Sequence, residues 1–195
     1  MALCDVAEIQ RFAEGCFQAV HLGQARIRKL IDRYDLRGQC TIFDSVPQPE
    51  VARIVGDSET YVLLSRREGA NRALYEALFC DTPVVVYAGH RGVDTDMVRS
   101  GVGALFDARG LGEAIVSVLK NPGAYRPLEW ARANSGFANS TDALNAILQE
   151  MARRRGSPWT RDIVPKKNTP EIRYAREQDR LQMEPEYALI AQHLR

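Results

Sequence analysis

Two short apolar runs, separated by one amphipathic stretch, constrain this chain most. Tyr61-Val-Leu-Leu-Ser65 and Pro83-Val-Val-Val-Tyr87 are five residues each. They are too short for a buried helix and lack the alternation of a half-exposed strand. Such runs predict strands covered on both faces, the kind found in parallel sheets. Ala70 to Phe79, between them, has helical spacing, and Pro83 fits the first position of a strand. Strand, helix and strand joined by short links predict a parallel sheet with helices on both faces.

The pattern extends in both directions. Val6 to Ala13 reads as a helix and Phe17 to Leu22 as a short strand. Ile27, Leu30, Ile31 and Tyr34 have helical spacing, with Gly38 as the expected cap. Cys40 to Val46 reads as a strand, Pro49 to Val55 as one or two helical turns, and Val102 to Phe106 as a further strand. Leu111 to Leu119 reads as a helix with Leu111, Ile115, Val118 and Leu119 inward. From Tyr125 the pattern becomes helical, and Leu144, Ile147, Leu148 and Met151 form one stripe. Ser157 to Pro170 reads as extended, and a last helix is expected from Pro185 to Leu194. The expected division is a sheet domain over 1–150 and a tail over 151–195.

Composition excludes several classes. Hydrophobic residues make up 45% of the 195-residue chain, enough for a core. The net charge is +1, so a strongly basic nucleic-acid binder is not indicated. Cys4, Cys16, Cys40 and Cys80 lie far apart, with no Cys-x-x-Cys pair and no clustered His. A structural zinc or disulfide framework is therefore not expected, and a reducing cytoplasm fits best. No apolar run reaches the length of a transmembrane helix, and Met1-Ala-Leu-Cys-Asp5 lacks the basic start of a secretory leader.

The stretch that carries chemistry is Ser65 to Tyr87. Glu68 and Gly69 follow a parallel strand at its carboxyl end, where open α/β sheets bind ligands. The backbone N–H groups of Ala70, Asn71 and Arg72 open the next helix and can hold a phosphate. Glu76 follows Glu68 by eight positions. If both face the crevice, one carboxylate can accept bonds from a sugar and the other from a ribose. Asp94-Thr-Asp96 spells Asp-x-Asp but reads as a loop or helix cap, and His90 reads as a surface loop residue. Gly101-x-Gly103 lacks the third glycine of a dinucleotide fingerprint.

Glu68-Gly69, Glu76-Ala77 and Thr82-Pro83-Val84-Val85 together resemble the signature of family 4 (group 1) retaining glycosyltransferases. Val46-Pro47 through Glu50-Val51, and Met97-Val98 with Gly101 to Leu105, extend the resemblance over roughly residues 16 to 150. The resemblance implies the C-terminal, donor-binding half of a GT-B fold, a Rossmann-like parallel sheet. It places Glu68 in the catalytic position beside the donor sugar and Glu76 on the ribose hydroxyls. The diphosphate falls to Gly69, Ala70, Asn71 and Arg72, and Val46 flanks the base. It implies a nucleotide-sugar donor, a sugar or lipid-linked acceptor, retention at the anomeric carbon, and no metal or other cofactor.

The chain also departs from that pattern. The loop Phe43-Asp-Ser-Val46 lacks the usual glycine, and the Arg/Lys pair that clamps the diphosphate has no counterpart by alignment. An upstream acceptor domain of about 180 residues is expected for the two-domain fold. The chain is therefore read as a donor half, from a truncated gene or from a two-subunit enzyme whose acceptor domain is a separate subunit, and no transfer is expected from it alone. Two other classes stay open: a non-catalytic nucleotide-sugar-binding module and a sugar-nucleotide epimerase. The expected location is cytoplasmic or at a membrane periphery.

Overall fold

Val84, Val85 and Val86 lie in the middle strand of a three-stranded parallel sheet and are fully buried. The strands are β1 (Tyr61–Leu63), β2 (Val84–Tyr87) and β3 (Gly103–Phe106), in the order β1-β2-β3. Tyr61 pairs with Val84 and Val84 with Gly103, so the three strands start in line. In this computed structural model, residues 24–43, 45–69, 71–107, 109–167 and 173–194 are described. The expected helix over Val6 to Ala13 and strand over Phe17 to Leu22 lie outside them.

The period-two alternation of β2 builds a core on each face. Val84 and Val86 join Leu63, Leu74, Ala77, Leu78, Met97, Val98, Val102 and Ala131 on one side. Val85 joins Phe106, Leu111, Ala114 and Val118 on the other. Burying each valine contributes roughly 1.5–3 kcal/mol. The helices supply both covers. From α3 (Arg72–Phe79) come Leu74, Ala77 and Leu78, and from α5 (Leu111–Lys120) come Leu111, Ala114 and Val118. Between them lie the short α4 (Thr95–Met97) and a π-helical turn over Val98–Val102. Asp94 caps α4 by accepting a bond from the Asp96 amide at 2.9 Å.

Ahead of the sheet stand α1 (Gln24–Arg33) and α2 (Gln48–Gly56). Thr82 fixes the end of α2 by donating its hydroxyl to the Val55 carbonyl at 2.8 Å. After the sheet, α6 (Pro127–Asn134) is tied back when the Leu128 amide donates to Asp81 at 3.0 Å. The chain divides into two units, one ending at Ala131 and the other Arg132–Arg195. The second holds α7 (Phe137–Arg154), the hairpin β4 (Lys166–Lys167) and β5 (Arg173–Tyr174), α8 (Glu177–Gln182) and α9 (Glu184–His193). No described helix is long and apolar enough to cross a membrane.

Two expectations need correction. Cys40 to Val46 forms no strand: Cys40 closes a turn on the Leu36 carbonyl and Phe43 is 53% exposed. Without a partner ladder, β-propensity decides nothing. Gly38 does not cap α1. Asp35, at φ 54°, turns the chain, and the Leu36 amide reaches the Ile31 carbonyl at 2.9 Å. Ile31 and Leu36 are both buried, the apolar contact that accompanies this kind of helix end. On α7 the expected stripe includes exposed residues, with Leu144, Ile147 and Met151 at 44, 57 and 40%. The buried residue of α7 is Asn145, whose amide exchanges hydrogen bonds of 3.0 and 2.7 Å with the Ile163 backbone.

Candidate functional site

The site grows from two loops at the carboxyl edge of the sheet. One follows β1 and contains Arg66-Arg67-Glu68-Gly69, and the other follows β2 and contains Ala88 to Gly92. The Arg91 amide donates to the Arg66 carbonyl at 2.9 Å, and the Glu68 amide to the Arg91 carbonyl at 3.1 Å. Arg67 and Arg91 thereby form an isolated parallel bridge. Gly92 permits this approach. It sits at φ +114°, and a Cβ there would lie 1.9 Å from the Glu68 carbonyl oxygen.

Asn71 turns the first loop into α3. It is 7% exposed and is the N-cap, with its Oδ1 accepting from the Leu74 amide at 2.7 Å. Its other amide atom, Nδ2, donates to the Glu68 carboxylate. One buried side chain thus starts the helix and orients Glu68. The helix begins at Arg72, two residues later than the apolar spacing predicted. The first-turn amides of Arg72 and Ala73 have no carbonyl of their own helix to reach. Ala70 lies outside the described residues. A Cβ on Gly69 would meet no heavy atom within 4 Å.

Glu76 is exposed on the second turn of α3. Its charge and that of Glu68 both act on the Tyr61 phenol. Burial pushes that hydroxyl up from its ordinary range, and the two carboxylates add to the push. Both charges therefore act on one neighbourhood.

His90 is the residue that sequence reasoning missed. It was read as a surface residue, yet it is 7% exposed. The Val93 amide donates to its Nδ1 at 3.1 Å, so Nδ1 carries no proton. Nε2–H then donates to the Ser65 hydroxyl at 3.2 Å, tying the end of β1 to the loop after β2. Burial pulls the His90 pKa below its ordinary value, and the Glu68 charge offsets part of that. The neutral ring is the form this site accommodates. Acidification is expected to destabilise the protein as pH falls below about 6.5, because the unfolded chain then gains a proton the folded site resists. A melting series from pH 7.5 to 5 should slope downward, and His90→Gln should flatten the slope.

Val46 does not share this edge as a strand end. It is half-buried, follows Ser45 at φ 55° and leads into α2, with no strand before it among the described residues. On the β2 side, Arg66 lies over the Tyr87 ring at 5.7 Å, and Tyr87 packs at 5.7 Å on Phe106. Among the described residues, no group of three or more His, Cys, Asp or Glu could hold a metal ion.

The His90-Arg91-Gly92 run, placed at the end of a buried strand, was the available signal for the second loop. A family model described as group 1 glycosyl transferases matches residues 20–133, a span that contains both loops, Glu68 and Glu76. No curated protein matches the chain.

Proposed function

Because this chain belongs to the group 1 glycosyltransferases, we propose that it binds a nucleotide-sugar at the carboxyl edge of its sheet and so supplies the donor site from which the hexosyl group passes, with retention at the anomeric carbon, from the diphosphate to an acceptor hydroxyl. The observation that carries this reading is the placement of Glu68 by Asn71 at the start of α3, with Glu76 further along that helix. As the bond to the diphosphate loosens, negative charge grows on the leaving group. The N-terminal amides of α3 meet that charge without reorganising, the usual source of a large catalytic contribution. Glu68, held in one orientation, accepts bonds from the donor sugar as it gains oxocarbenium character. Glu76 accepts bonds from the ribose hydroxyls.

The test is a calorimetric titration of UDP, GDP and ADP into the wild type and Glu76→Ala. One nucleotide should bind, and the variant should lose about 1.5–3 kcal/mol, the contribution of hydrogen bonds to a charged acceptor. Equal binding by both forms would remove Glu76 from the ribose. Nucleotide binding without turnover on any acceptor would favour a binding module over a transferase.

A further inference from the structure

We infer that Arg67 and Arg91 together form a two-guanidinium clamp for the diphosphate of the donor, an inference that rests on the donor-binding reading above. The bridge between the two loops makes these residues direct cross-strand partners. Parallel partners project their side chains to the same side of the ladder, and like charges placed so repel. Some arginines elsewhere sit against carboxylates, as Arg53 does on Glu50, Arg99 on Asp96 and Arg180 on Glu177. Among the described residues, Arg67 and Arg91 have no such partner, and both are exposed. The acidic residues nearest to them in sequence are both engaged elsewhere, Glu68 by Asn71 and Asp94 by the Asp96 amide.

A pair of cations held side by side by backbone bonds, and locked by Gly92, fits an anion that spans both. A diphosphate offers charged oxygens on two linked phosphorus centres, and guanidinium groups bind such oxygens in a fork.

The experiment titrates inorganic pyrophosphate, alone and in competition with UDP, GDP and ADP, into wild type, Arg67→Gln/Arg91→Gln and Glu76→Ala. Wild type should bind pyrophosphate, and the nucleotide that binds should displace it. The double arginine variant should lose roughly tenfold to 100-fold in affinity for both pyrophosphate and that nucleotide. Glu76→Ala should lose affinity for the nucleotide only. Thermal melting of the unliganded double variant should stay level or rise, because a repulsion has been removed. Pyrophosphate binding that survives both arginine substitutions overturns the clamp while leaving the donor site standing. Absence of pyrophosphate binding by wild type also overturns it. Pyrophosphate that binds without competing with nucleotide overturns the assignment to the donor. Loss of nucleotide binding in wild type, with pyrophosphate still held by the two arginines, supports the clamp and sinks the nucleotide-sugar reading instead.

Discussion

Gly92→Ala is expected to cost about 3–5 kcal/mol and to abolish nucleotide binding. Two effects add. The residue sits at φ +114°, where a side chain is strained by about 1–3 kcal/mol. The new Cβ would also lie 1.9 Å from the Glu68 carbonyl oxygen and 3.1 Å from that of Gly69, both backbone atoms with nowhere to turn. Relief requires the loops to part, which breaks the Arg91–Arg66 and Glu68–Arg91 hydrogen bonds, worth about 1 kcal/mol each. Gly101→Ala separates the two causes. Gly101 has φ +99° but open space around its missing Cβ, so it should show the conformational cost alone, about 1–2 kcal/mol. Melting curves and a nucleotide titration on both variants provide the check. Equal behaviour of the two would mean the contact with Glu68 does not hold the loops.

Leu74→Ala should cost about 3 kcal/mol of stability, within the usual 2–5 for such truncations, and leave nucleotide affinity intact below the melting transition. Leu74 is 1% exposed and packs with Leu63, Leu78, Val84 and Val86 beneath α3. Truncation leaves a cavity under the helix that carries Glu76. The cap survives, because Asn71 bonds the backbone amide at position 74 and not the side chain. Glu68 therefore keeps its orientation. Chemical denaturation beside calorimetry distinguishes this outcome from that of Glu76→Ala, where affinity should fall and stability should not. A loss of affinity as large as that of Glu76→Ala would show that the site depends on core packing.

The sheet was legible because β2 and its neighbours are unbroken apolar runs with no other use in a chain of this size. The α3 helix and the Glu68–Glu76 spacing were legible for the same reason, since local pattern and local structure coincide there, while the start of that helix at Arg72 was not. Cys40 to Val46 misled because Thr41-Ile42-Phe43 has strand-forming residues, and a strand exists only when another pairs with it. The α7 stripe shows a different limit: helical spacing of Leu144, Ile147 and Met151 tells which residues share a face, not what that face meets. His90 and Gly92 escaped because their meaning lies in contacts across some 25 positions, Ser65 to His90 and Glu68 to Gly92. Linear periodicity carries no trace of such pairings. Asn71 was named for its backbone, while its side chain does the orienting.

The parallel bridge between the site loops has a kinetic consequence. Tyr61 precedes its partner Val84 by 23 residues, and Arg67 precedes Arg91 by 24. The site loops therefore continue the β1–β2 pairing with one extra residue on the β2 side. The entropy of closing a loop grows only as the logarithm of its length, and that length is already spent once β1 meets β2. Closing the loops after that adds almost no further closure entropy, leaving only the cost of fixing the loop residues themselves, much as the last teeth of a zipper follow those before them. Folding the sheet and assembling the site are then a single event, and the rate at which β1 finds β2 sets the rate at which Glu68, His90 and both arginines come to one edge.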